Sequence, residues 1–225
     1  MPDEREYHVG VPRFETVGHH SKKKSLQYLE QLDPEVQKER KAWCKKIRGV
    51  DPQRFVFLDE SGAKTNMTRL YGRAPRGERV IDYVPDGRWE SLTMLSALRF
   101  DGRTTAMVYE GGTDILAMQT YVESFLAATL GTGDIVVMDN LSSHRNAEVV
   151  TMIEATGAEV WFLPRYSPDY NPIEEMWSKV KAYLRKIEAR SKKALIHAIG
   201  KAHETVTAQD AAGWFAHCGY PDTQS

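Results

Sequence analysis

A chain of 225 residues, 41% hydrophobic and 27% charged, is long enough to bury a sizeable core as one large domain or as one domain with appendages. No stretch approaches the ~18 uninterrupted apolar residues of a membrane span, and Asp3, Glu4, Arg5 and Glu6 open the chain without the apolar run of a secretory signal, so no membrane partner is expected. The net charge of −1 rules out a uniformly basic coat, although Lys and Arg gather at 22–24, 38–48 and 179–193.

Residues 1–20 are polar and aperiodic and read as an extension without fixed structure. Between Lys24 and Ile47, Leu26, Leu29 and Leu32 precede Asp33-Pro34, and Val36, Trp43 and Ile47 then recur at near-helical spacing. Asp33 suits a helix cap and Pro34 the first helical position, so 21–50 reads as a helical lead-in to a main domain at 51–220. Arg54–Leu58 is a short apolar strand ending at Asp59. Gly62–Arg88 is rich in Gly, Arg and Pro, lacks a period, and reads as a long functional or mobile connection. Ser91–Arg99 and Thr104–Tyr109 flank Asp101-Gly102, a hairpin signal that makes these two strands antiparallel. Tyr121–Leu130 reads as a helix, Asp134–Met138 as a buried central strand ending at Asp139, and Asn146–Ala155 as a helix. Glu159–Leu163 is a strand stopped by Pro164, followed by a loop over 165–172, a long helix from Ile173 to Ile187, a helix over Lys192–Thr205 and a short tail. The order predicts a mixed α/β sheet, an antiparallel meander joined to strand–helix alternation. Cys44 and Cys218 have no Cys or His at zinc-ligand spacing and read as reduced thiols of a cytoplasmic protein.

Two apolar strands thus end in an acid, at Asp59 and Asp139. Strand carboxyl ends of an open α/β sheet face the crevice where ligands bind, although an Asp there also serves as a turn former or cap. In the helix after Pro172, Ile173, Met176, Trp177, Val180, Leu184 and Ile187 form one apolar stripe. At ~100° per residue, Glu174 flanks that stripe and Glu175 points away. Glu174 can lean toward the two aspartates, or it can simply complement the helix dipole. Three converging carboxylates repel one another unless a cation offsets them, and a hard oxygen set without His or Cys suits Mg²⁺ or Mn²⁺. Two such ions at ~3.5–4 Å serve in-line phosphoryl displacement. Ser178, Lys181 and Arg185 follow Glu174 on the same flank, either as a basic strip for DNA phosphates or as an ordinary solvated face. The connection 62–88, with Arg69, Arg73, Arg76, Arg79 and Arg88, offers a second DNA-facing candidate.

The segments Phe57-Leu-Asp59-Glu-Ser-Gly62, Val136-Val-Met-Asp139-Asn-Leu-Ser-Ser-His144 and Leu163-Pro-Arg-Tyr-Ser-Pro-Asp-Tyr-Asn-Pro-Ile-Glu174-Glu-Met-Trp177 resemble the DDE superfamily of transposases, in particular the bacterial insertion-sequence branch related to mariner elements. The 34 residues between Asp139 and Glu174 match the spacing of that branch, and Trp214–Tyr220 is similar to its C-terminus. The resemblance implies an RNase H-like fold and cut-and-paste transposition, with DNA cleavage followed by attack of the freed 3′-hydroxyl on target DNA, usually at TA. It implies Asp59, Asp139 and Glu174 as holders of Mg²⁺ or Mn²⁺, in two ions, and places Asn140, His144 and Asn171 at recurrent positions near the site. Relatives carry helix-turn-helix domains before this region, where residues 1–20 match none. That leaves two expectations: a catalytic module working, as a homodimer, with a separately encoded DNA-binding segment, or a truncated, regulatory fragment. A structure-selective nuclease of the same fold is a third, weaker reading.

Overall fold

The computed structural model describes residues 29–140 and 146–220. The expected extension 1–20, the start of the lead-in at 21–28 and His144 lie outside the described residues. A five-stranded sheet runs in the order β3-β2-β1-β4-β5. It comprises β1 (Phe55–Lys64), β2 (Ser91–Arg99), β3 (Thr104–Tyr109), β4 (Ile135–Met138) and β5 (Glu159–Phe162). β1, β2 and β3 form the antiparallel meander, and β4 and β5 add in parallel beside β1. β1 and β4 lie in the middle, covered on both faces, which is why they read as unbroken apolar runs.

The two faces of the sheet bury different sets. Phe55, Phe57, Ile135 and Val137 point into a large core filled by α1 (Pro34–Ile47), α4 (Pro172–Ile187), α5 (Lys192–His203) and α6 (Ala208–His217). Val56, Leu58, Val136 and Met138 point the other way, onto α2 (Ile115–Tyr121) and α3 (Ala147–Glu154). The lead-in helix α1 starts as its sequence indicates: Asp33 accepts from the Glu35 amide, Pro34 follows, and Val36, Trp43 and Ile47 are buried. No helix among the described residues is long and apolar enough to cross a membrane. Cys44 and Cys218 are both free thiols.

Several elements differ from the sequence reading. β1 does not stop at Asp59 but runs on to Lys64, because β2 supplies a full antiparallel ladder from Val56↔Arg99 to Lys64↔Ser91 that needs no apolar side chains. The helix expected at Tyr121–Leu130 begins earlier, at Ile115, where Asp114 accepts from the Ala117 amide, and it continues as a π-type turn over 122–126. Ile187 is exposed rather than part of the α4 stripe, since the chain leaves the helix at Glu188 in a left-handed conformation with φ 54°. The short tail contains a further helix, α6, opened by a reciprocal cap between Thr207 and Asp210. Behind it Tyr220 is sealed into the core, accepting from the Trp43 indole at 3.0 Å and donating to the Tyr170 carbonyl at 2.8 Å. The connection between β1 and β2 is an exposed arm whose neck is closed by the Thr65 amide on the Glu90 carbonyl and the Glu90 amide on the Thr65 hydroxyl, each at 3.0 Å.

The β2–β3 turn carries a steric requirement. Gly102 has φ +83°, and a Cβ there would meet the Thr207 carbonyl carbon at 2.6 Å. Gly102→Ala is expected to cost more than ~1 kcal/mol, measured as a lower urea midpoint. An unchanged midpoint would mean that the turn and the α6 cap yield freely.

Candidate active site

The parallel pairing of β1 with β4 matches Phe55 to Ile135, Val56 to Val136 and Phe57 to Val137. Asp59 and Asp139 each follow two residues after the last of these pairs. Side chains alternate along a strand, so Asp59 projects toward the face that carries α4. β4 ends at Met138, whereas β1 continues with Asp59 opposite Ser96 of β2. Asp59 is therefore a mid-strand residue beside the place where its other neighbour has stopped.

α4 approaches this gap. Ile173, Met176, Trp177, Val180 and Leu184 bury its inner stripe, with Glu174 at its flank and exposed. Asp59, Asp139, Asn140, Asn171 and Glu174 line one open cavity of about 720 Å³, together with the loop from Leu163 to Pro168. That loop is anchored from outside. Arg40 of α1 holds Asp169 through two bonds of 2.9 and 2.6 Å and reaches the Ser167 hydroxyl at 2.7 Å, while Glu39 pairs with Arg165 at 2.9 Å. Bidentate charge-assisted pairs of the Arg40 kind fix orientation as well as distance. Gln31 donates to the Tyr166 carbonyl at 2.6 Å, and Tyr166 itself sits at φ 54°, a conformation that costs a non-glycine residue ~1–3 kcal/mol. Sequence reasoning missed this clamp, whose partners lie more than a hundred residues apart.

The acids sense one another. Burial pushes the Asp59 carboxyl up to about 8, and the charges of Glu174, Glu60 and Asp139 push the same way, against the Glu60 amide that bonds it. Glu174 is raised by its partial desolvation and by Asp139, while Lys181 opposes the rise. Asp59 accepts the Glu60 amide on Oδ1 at 2.8 Å and the Trp177 indole on Oδ2 at 3.2 Å. Among the described residues no three Asp, Glu, His or Cys side chains stand close enough to share an ion as placed. The three acids share a cavity but are not drawn into a cage, as expected of like charges that only a cation would hold together. Their chemistry fits a hard divalent ion: three carboxylates lining one cavity, no His or Cys among the described residues that line it, and a buried carboxyl whose neutralisation a cation would reverse.

The other expected residues divide. Asn140 lines the cavity and donates to the Leu163 carbonyl at 3.2 Å, tying the ends of β4 and β5 together. Asn171 is buried at the start of α4, makes no capping bond there, and its Oδ1 has no hydrogen-bond partner. Lys181 feels Glu174, as its position on that flank requires, and Arg185 lies a turn further on in α4. Arg73 and Arg76 sit on the exposed arm and do not line the cavity.

An RNase H-like sheet with three acids at the junction of its parallel and antiparallel halves defines a class of nucleic-acid-processing domains. Residues 54–196 match the model of the DDE superfamily endonuclease, and the chain belongs to that family. It is 26% identical over 200 residues to the Tcb1 transposable-element transposase of Caenorhabditis briggsae, a match that covers 79% of this chain and 69% of that protein. Its fold is similar to the Mos1 transposase paired-end complex with left transposon end, at a TM-score of 0.73 and 16% identity over 90% of this chain and 64% of that one. It is also similar to the Mos1 mariner paired-end complex with Mn, at a TM-score of 0.69, 15% identity and the same coverage of both chains. The chain thus spans about two thirds of the length of these Mos1 chains.

Beneath the site, His203 of α5 is buried. Its Nε2 has no hydrogen-bond partner, and burial holds its pKa down to about 4. Above pH ~6.5 the ring is neutral in both folded and unfolded chains. As pH falls from there toward 4, the unfolded chain takes up a proton that the fold excludes, so stability drops by on the order of 3 kcal/mol and then levels off. Urea midpoints of wild type and His203→Gln are expected to converge as pH falls through that window. A constant difference between them would mean that His203 is protonated without cost.

Proposed function

We propose that this chain is the catalytic domain of a cut-and-paste transposase, cleaving DNA and joining the freed end to a target. The observation that carries the reading is that Asp59, Asp139 and Glu174 line one cavity of a DDE superfamily endonuclease domain. Asp59, Asp139 and Glu174 would hold Mg²⁺ or Mn²⁺, in two ions, and a bound divalent ion would activate the attacking oxygen and offset the charge of the leaving one. Mos1 paired-end complexes have been solved with Mn and with Mg, which supports this choice of ion.

The chain's own residues do the rest. The Glu60 amide and the Trp177 indole orient Asp59, and the Arg40–Asp169 pair holds the loop wall against which a DNA strand would lie. In cleavage a water oxygen bonds to the scissile phosphorus as the bond to the 3′ oxygen breaks, leaving a 3′-hydroxyl. In joining, the oxygen of that hydroxyl bonds to a target phosphorus as the target's own bond from phosphorus to 3′ oxygen breaks, and the released target 3′ oxygen takes up the proton. Lys181 and Arg185 continue from Glu174 along α4 as contacts for the phosphate backbone. Asn140, on the cavity lining, and His144 would contact DNA, and Arg73 and Arg76 would reach it from the arm.

The 34-residue spacing from Asp139 to Glu174 is one that the bacterial insertion-sequence branch favours, and a member of that branch would use a TA target in a nucleoid-associated, cytoplasmic setting. A homodimer, with end recognition supplied by a helix-turn-helix segment, fits the paired-end complexes of Mos1. In domain terms, 51–220 is the catalytic unit and 21–50 its lead-in.

The test is strand transfer of a pre-cleaved duplex with a free 3′-hydroxyl into a supercoiled plasmid, with Mn²⁺ or Mg²⁺. Wild type is expected to give metal-dependent joining, and Asp139→Ala to lower it by on the order of 100-fold or more. Wild type that stays inactive while folded and metal-bound would favour the regulatory fragment instead.

A further inference from the structure

The most buried polar contact at the site is one that neither the motif nor the triad accounts for. Trp177 is 2% exposed and follows Glu174 by three residues on α4, so the helix that carries one acid also carries this indole. Its Nε1–H donates to Asp59 Oδ2 at 3.2 Å, while the Glu60 amide donates to Oδ1 at 2.8 Å. The ring is braced from behind by His203, edge to face at 5.9 Å and 89°. The terminal torsion of an Asp is broad and roughly two-fold, so an unsupported carboxylate rotates. Two donors, one on each oxygen, remove that freedom. Each oxygen still keeps a lone pair for another ligand.

We propose that Trp177 is a positioning residue for metal binding: its indole N–H fixes the plane of the Asp59 carboxylate and ties that plane to the helix bearing Glu174. The inference rests on the reading of Asp59 as a metal-holding acid. Outer partners of ligating carboxylates typically matter by ~10–100-fold in metal affinity or activity. A buried indole that only satisfies its own N–H would instead affect stability and leave metal affinity alone.

The discriminating variant is Trp177→Phe, which keeps a ring in the core and removes the donor. Mn²⁺ affinity, measured by calorimetry on the folded chain, is expected to fall about 10–100-fold, and the Mn²⁺ concentration for half-maximal strand transfer to rise in proportion. In wild type, the Trp177 indole N–H resonance, identified among the five tryptophans by its absence from the variant, is expected to move on titration with Mg²⁺. A variant that binds Mn²⁺ like wild type overturns the proposal while leaving the transposase reading intact. If the variant does not fold, the resonance is instead assigned by through-bond and through-space NMR in wild type, and an indole signal unmoved at saturating Mg²⁺ overturns the proposal. Wild type that binds no Mn²⁺ and joins no DNA overturns the functional reading and this inference together.

Discussion

The site depends on the register between β1 and β4. With Phe57 opposite Val137, Asp59 and Asp139 stand equally far beyond the paired stretch, each two residues on. A slip of one residue would send one carboxylate to the α2–α3 face, because strand side chains alternate with a period of two. What resists that slip is the segregation of the two cores: Phe55, Phe57, Ile135 and Val137 fill one, Val56, Leu58, Val136 and Met138 the other. Both sets are fully buried, so an error in register would empty two cores at once. The geometry of the acids is in this sense enforced by apolar residues that carry none of the chemistry.

The unequal lengths of the two strands matter as much. β4 stops one residue short of its acid, while β1 is carried past Asp59 by its ladder with β2. Asp59 therefore keeps a rigid backbone while losing a neighbour on one side, and α4 enters there. The result is a carboxyl with little access to water, next to other acids, in an environment that disfavours its charged form. Such an arrangement is costly in isolation, and positive charge lowers the cost. Lys181 offers some to Glu174, and a divalent cation would offer more to Asp59 itself.

Much of this was legible in the sequence, for reasons that can be traced. The meander was visible because Asp101-Gly102 is a turn signal between two strand-like runs, and both strands fall where the runs do. Asp59 and Asp139 stood out because polar residues interrupt apolar runs abruptly. The continuation of β1 to Lys64 was hidden because backbone pairing with β2 decides it, not side-chain pattern. α6 escaped because its cap uses Asp210 where Glu or Gln is the usual signal, and because small residues dominate its length. The Arg40–Asp169 clamp spans 129 positions and leaves no local trace. Trp177 was legible only as a core residue. Its apolar ring accounts for its place in the stripe, and nothing in spacing reveals where a single N–H points.

The closed neck of the arm between β1 and β2 bears on how such a domain can change over generations. Thr65 and Glu90 bond to each other reciprocally, and Arg190 donates to the Met67 carbonyl at 2.8 Å, so the strands below are insulated from whatever length of chain loops out above. Doubling a loop costs only ~0.6 kcal/mol in closure entropy. Insertions, deletions and new side chains can accumulate there without disturbing the register that aims the acids. The loop from Leu163 to Asn171 has no such licence, being fastened to α1 at one edge and forming the cavity wall at the other. The arm is where descendants of this chain are free to diversify, and the clamped loop is where they must stay alike.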